Sequence, residues 1–167
     1  DGIEFKETSI KDPDKDDNYS IQKIEGIEDG NRNVYTDGNT IGVYFLFANG
    51  QHEDDTDNSH VLGVAYRNTS MVIFEETIRE LSGPGPTEAD TDKLETAVIN
   101  HEIGHNMGLV ANGSAMQTDH QDEEHGKHCD NDNCLMHWSV RTGDVVSKIV
   151  SGGNVPTLGQ NCQDDLK

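Results

Sequence analysis

Aromatic residues and positive charge are both scarce in this sequence: Phe, Trp and Tyr make up 5% of it, and 12 Lys and Arg stand against 32 Asp and Glu. The formal net charge of -20 excludes nucleic acid and anionic membrane surfaces as partners, since either would repel it. No apolar run approaches the roughly 20 residues of a membrane-spanning helix, so no membrane-spanning segment is expected. Cysteine is also rare. Cys129, Cys134 and Cys162 all lie in the last quarter of the chain; they are too few for a disulfide-dense scaffold and odd in number, which leaves the redox compartment open. The chain starts at Asp1 with neither Met nor a signal-like segment, and it reads as trimmed.

What remains is a chain of 167 residues, expected to form a single domain over 1–167 with a real core. Most of its carboxylates read as solvated surface. Near the start, "IEFKETSI" alternates apolar and polar residues as a half-buried strand would, and "DPDKDDN" breaks it with a turn. Asp12, Asp14 and Asp16 alternate like a calcium-binding helix–loop–helix, but Asp17 and Lys23 replace the required Gly and Glu. Ile21, Ile24 and Ile27 have helical spacing, weakened by Gly26. The nearly continuous apolar run "IGVYFLF", residues 41–47, predicts a central strand buried on both faces.

After an acidic loop whose "DDTD", residues 54–57, could take calcium, "VLGVAY" and "SMVIFEE" predict two antiparallel strands. A loop, "SGPGP", then leads to a helix predicted from Thr87 or Asp90 to Gly108. Leu94, Ala97, Val98, His101 and His105 form one apolar-and-histidine stripe on it, and Ile99, Ile103 and Met107 another, so the helix should be largely buried. A short helix is expected in "PTLGQNCQDDLK". Residues 109–155 have little regular pattern, and a long irregular segment in a small domain calls for an ordering agent such as a metal.

The chemistry concentrates in "HEIGHNMGLVANGSAMQ", residues 101–117. Positions four apart share a helix face, so His101 and His105 can direct their imidazoles at one zinc ion. Glu102 is rotated about a hundred degrees away, where it can reach a water on that ion without ligating it. It could therefore act as general base and then pass the proton to a leaving amine. As two ordinary helix histidines, these groups would each cost about 1–3 kcal/mol if buried without partners. A catalytic zinc takes three protein ligands, and the donors nearby are His120, Asp122, His125 and His128.

"HEIGHNMG" resembles the start of the metzincin zinc-peptidase signature, with Gly108 at the glycine that turns the chain off the helix. The signature would place histidine at 111, where this chain has Ala111. Farther on, "HCDNDNCLMHWS" is similar to the archaemetzincins, in which the third histidine directly precedes a C-x4-C-x-M segment. That resemblance implies zinc held by His101, His105 and His128, an inserted loop at 109–127, and Met136 as the Met-turn beneath the metal. It further implies an α+β, zincin-like fold, with a mixed sheet, a buried active-site helix and an irregular C-terminal subdomain carrying the Met-turn. Gly63, Val64 and Ala65 would lie on the edge strand that pairs with substrate, and a proline at Val64 would obstruct that pairing if its N–H faces the substrate.

Two departures from the family stand out. Archaemetzincins complete a four-cysteine zinc site with a final CxxC, whereas only Cys162 is present here, so Cys129, Cys134 and Cys162 either hold a second zinc together with a histidine or form one disulfide and a spare thiol. Metzincins also carry a longer strand-and-helix opening, which implies either a shortened family or a chain that lacks an N-terminal strand and helix, the second being the expectation. The expected function is that of a zinc-dependent endopeptidase, a monomer acting on a peptide or protein substrate in an extracellular or cell-surface setting. The alternative is a catalytically inactive, zinc-stabilised binding module. Zinc is the expected cofactor, with a second zinc or a calcium ion in addition. Trp138 reads as core, and His137 is a candidate for stabilising the oxyanion.

Overall fold

The Ser20 hydroxyl accepts the Lys23 N–H at 3.1 Å and caps helix α1, Ile21–Asn31, a standard way of satisfying a helix's first free donors. In this computed structural model, which describes residues 2–11, 18–57, 59–82, 88–141, 149 and 153–167, α1 lies against a three-stranded mixed sheet. Strand β2, Tyr44–Ala48, pairs in parallel with β5, Ser70–Phe74, and β5 pairs antiparallel with β4, Gly63–Arg67. The order is β2-β5-β4, beside a small parallel pair of β1, Asn18–Tyr19, and β3, Gln51–His52. Helices α2, Glu75–Leu81, α3, Glu88–Asn106, and α4, Gln160–Asp165, complete an α+β fold with four α-helices among the described residues. None of these helices is long and apolar enough to cross a membrane.

Side chains of β5 alternate between two apolar clusters, as strand geometry requires. Ile73 joins Leu62, Ile78, Leu94, Ala97 and Val98 on the α3 side, together with Leu135, Val140 and Ile149 from the tail. Val72 and Phe74 join Tyr19, Ile24 and Leu46 on the α1 side.

Several expectations require correction. The central strand is β5, buried throughout. Within 41–47 the strand starts only at Tyr44 and lies at the sheet edge, leaving Ile41 75% and Phe47 50% exposed. Residues 3–10 form no strand: Ile3 and Phe5 are exposed, because an alternating pattern does not make a strand without a neighbour to pair with, although Ile10 still packs on the α1 cluster. On α3, the Leu94 to His105 stripe is buried, but Ile99 and Ile103 are only half-buried and Met107 is exposed. The turn in "DPDKDDN" and most of the "SGPGP" loop lie outside the described residues.

One buried ionic network fastens α1 to the sheet. Glu28 accepts hydrogen bonds from the Ser70 hydroxyl at 2.6 Å, from Arg32 at 2.7 Å and from Arg67 at 3.1 Å. Arg32 continues to the Gly42 carbonyl and the Thr69 hydroxyl. Burial opposes the charge on Glu28, but the bonds from Ser70 and Arg32, supported by Tyr66 and Arg67, outweigh it and hold the carboxyl below the ordinary carboxylate range. A carboxylate depressed on folding contributes stability that is fully present above its unfolded pKa, about 4.3, and is lost as pH falls through the lower folded value. Glu28→Ala should therefore cost about 3–5 kcal/mol at neutral pH by leaving Arg32 buried without its counter-ion. Glu28→Gln should flatten the acid limb of stability against pH, as read by urea unfolding between pH 7 and pH 3.

Candidate metal centre

Helix α3 carries His101, Glu102 and His105 into the interior, where their exposures are 0%, 1% and 8%. His128, 6% exposed, reaches them from the irregular tail. One ligand-capable atom from each of His101, His105 and His128 lies within 4.8 Å of the others. The Nε2 atoms of His101 and His105 are 3.1 Å apart, close to the roughly 3.3 Å that two imidazole nitrogens keep on a tetrahedral zinc with bonds near 2.0–2.1 Å.

Hydrogen bonds set the ring orientations. His101 Nδ1 donates to the Leu135 carbonyl at 2.7 Å, and His128 Nδ1 donates to the His125 carbonyl at 2.7 Å. A carbonyl can only accept, so each neutral ring keeps its proton on Nδ1 and turns an acceptor Nε2 toward the other histidines. Metal-binding histidines are oriented in this way by an outer hydrogen bond. The residues thus fit a metal ion in donor chemistry as well as spacing.

Two glycines let the tail reach the helix. A Cβ on Gly104 would overlap the Sδ of Met136, so the fully buried Met136 packs against the helix backbone between the two histidines. Gly108, at φ 86°, ends the helix with its N–H on the His105 carbonyl, and a Cβ there would come 2.7 Å from Ser114 N. Val110 and Ala111 follow at φ 53° and 55°, a left-handed conformation that costs non-glycine residues on the order of 1–3 kcal/mol each. Buried packing of Val110 in the tail cluster holds it there. Where the metzincin signature would have a histidine, the chain is still turning.

On the sheet side, Glu102 Oε2 accepts the Ala65 N–H at 2.6 Å. Strand β4 is an edge strand, and the Phe74 N–H bonds the Leu62 carbonyl. Because backbone groups alternate in direction along a strand, the N–H of Val64 faces β5, while those of Gly63 and Ala65 face the free edge. The condition attached to proline at Val64 is not met, because its N–H is turned toward the sheet. A Cβ on Gly63 would stand 2.7 Å from Val98 Cγ1 and 3.1 Å from Glu102 Cγ, so the missing side chain lets α3 and Glu102 approach the strand. A cleft of about 440 Å³ opens beside His105, between Ala65 to Asn68 on one wall and Gly108 with Asn112 to Ser114 on the other.

Comparison with protein-family models, curated proteins and solved structures found no match.

The other donors considered for the third ligand lie elsewhere. His125 pairs with Asp122 at 2.9 Å and stacks on Trp138, with ring centroids 4.2 Å apart. His120 is buried with Cys129 and Cys162, which form a second group able to hold a metal. All three cysteines are free thiols and buried. Among the described residues these two groups are the ones with metal-ligand spacing, and the 54–57 carboxylates belong to neither. Asp55 instead accepts the Val61 N–H at 2.8 Å. His137 Nδ1 lies 2.8 Å from the Ser139 hydroxyl.

Sequence reasoning missed Gly104, and it did not single out His120 as the histidine beside the cysteines. Gly104 occupies an unspecified position of the motif, and its absent side chain is visible only once Met136 is beside it. Gly104→Ala should force the Met136 sulfur off the helix, lowering stability by about 1–3 kcal/mol through overpacking and reducing any metal retained after dialysis. Ala115→Gly, a loop control outside the site, should leave metal content unchanged.

Proposed function

We propose that this chain is a zinc-dependent endopeptidase of metzincin type, with zinc held by His101, His105 and His128 and Glu102 as general base and acid. The observation that carries the reading is the placement of Glu102: a buried carboxylate adjoining His101 in sequence and bonded to the backbone of an open sheet edge. A site that only stabilised the fold would need the histidines and no base beside them.

Zinc in such a site supplies a Lewis acid for the substrate carbonyl and lowers the pKa of water to about 7. Glu102 takes the proton of the attacking water and delivers it to the leaving amine. The Ala65 N–H holds one carboxylate oxygen and so fixes the side chain beside the histidines. The outward-facing N–H and C=O of Gly63 and the C=O of Ala65 hold an extended peptide as an added strand, which gives affinity that tolerates many sequences. The cleft beside His105 receives the flanking residues, so the substrate class is an extended segment of peptide or protein. Met136 and the turn at Gly108 keep the helix and the His128 loop in register.

Glu102→Gln is the direct test. The amide keeps the size of the side chain and leaves the three histidines untouched, so zinc content should match that of the parent. The rate of peptide cleavage should fall by about 10²–10⁴-fold or more, the usual share of a positioned proton carrier. The measurement is turnover of a broad peptide library, with metal analysis on the same samples. Near-parental cleavage by zinc-loaded Glu102→Gln would reject the assignment, and a zinc-loaded parent that cleaves nothing would favour the inactive binding module.

A further inference from the structure

The second group of donors is as buried as the first and is unused by the chemistry above. His120, Cys129, Cys134 and Cys162 are 1%, 2%, 1% and 0% exposed. His120 Nδ1 lies 3.4 Å from Cys129 Sγ and 4.0 Å from Cys162 Sγ, and Cys134 Sγ lies 3.5 Å from Cys162 Sγ. Zinc bonds of about 2.3 Å to sulfur and 2.0–2.1 Å to nitrogen put tetrahedral ligands about 3.6–3.8 Å apart. These three separations fall around that edge length; the atoms of His120, Cys129 and Cys162 all lie within 4.8 Å of one another, and Cys134 adjoins them through Cys162.

The surroundings of these donors are also those of ligands. His120 Nε2 is bonded to Asp165 Oδ2 at 2.9 Å, with both side chains 1% exposed. The other oxygen of Asp165 accepts the Gln117 N–H at 2.7 Å. A carboxylate behind a histidine fixes its tautomer and aims the opposite nitrogen, a common arrangement at metal sites. Cys134 Sγ accepts backbone N–H groups from Gly159 at 3.2 Å and Met136 at 3.4 Å. Such donors favour thiolate over thiol. Cysteines buried only as small apolar residues would need neither an oriented imidazole nor amides pointed at sulfur.

We propose that His120, Cys129, Cys134 and Cys162 bind a second zinc ion, with Asp165 as the positioning residue for His120. Three thiolates and one imidazole in tetrahedral arrangement select zinc over the harder divalent ions, which prefer oxygen. Four protein ligands fill its coordination, so the site is structural. His120 supplies the ligand that the cysteine count leaves wanting, and it comes from the inserted loop rather than from the C-terminal helix. The site does not depend on the peptidase reading.

The test uses cobalt as a spectroscopic probe, because cobalt bound by thiolates shows near-ultraviolet charge-transfer absorption and cobalt bound by histidines alone does not. The purified chain should hold two zinc ions and three titratable thiols when unfolded without reductant. A His101→Ala, His105→Ala, His128→Ala chain should still bind one cobalt with the thiolate band. In the otherwise intact chain, His120→Ala should abolish stoichiometric binding at the thiolates, and Asp165→Asn should weaken it by about 10–100-fold. His120→Cys should retain the metal and strengthen the band, which guards against reading a folding failure as a lost ligand. The proposal is overturned if the parent shows no thiolate–cobalt band, if only one thiol titrates because the other two are joined in a disulfide, or if His120→Ala binds cobalt as tightly as the parent. A chain with the thiolate band that cleaves no peptide upholds this site and refutes the peptidase reading.

Discussion

The hydrogen bond from His101 to the Leu135 carbonyl joins residues 34 apart in sequence, and the arrangement of the lower half depends on it. In the turns of the helix before His101, the inward residues Leu94, Ala97 and Val98 are aliphatic. Nothing on those neighbours can take a ring N–H, and a buried polar group left without a partner is costly. The tail meets that need. Once Leu135 accepts from His101, Met136 is carried under Gly104, and the Cys129 N–H on the Met136 carbonyl draws the adjacent His128 toward the same point. Geometry suited to a metal and geometry suited to burying the helix are one set of contacts.

The parts of this arrangement legible in the sequence are those set by local pattern. Residues Leu94 to His105 announce a buried helix by their spacing, and the runs that become β4 and β5 announce an antiparallel pair. His101 and His105 share a face because a helix repeats near four residues. What could not be read is decided by distant partners. Whether 41–47 is central or at the edge depends on which strand β5 pairs with, and the alternation of 3–10 says nothing about whether a neighbour exists to receive it. His120 illustrates the same limit at the site. Its partner Asp165 is 45 residues away and Cys162 is 42 away, so only the fold separates it from the other histidines of the same loop. A count of three cysteines, one short of a four-thiolate centre, was the available hint.

Glycine marks the places where backbone approaches backbone, or a side chain, too closely for a Cβ. Gly63 lets Glu102 reach the edge strand, and Gly104 lets a methionine sulfur rest on the helix axis. Each omission brings one further element within reach of the two histidines. The left-handed pair Val110 and Ala111 has the opposite character, a local cost accepted because Val110 is held among Leu109, Cys129 and Met136. Strain of that kind persists only where surrounding contacts over-determine the backbone.

Between Met107 and His137 the described chain contains turns and isolated bridges but no helix or strand. Its amide protons are therefore guarded by few repeating bonds, whereas those of β5 and α3 sit in ladders and helical turns. Regions that open independently exchange their hydrogens at rates set by their own local stability. In deuterated water the molecule should keep two clocks: a slow one for the sheet and its helices, and a faster one for the tail, which a bound metal would slow toward the first by tying the tail's ends together.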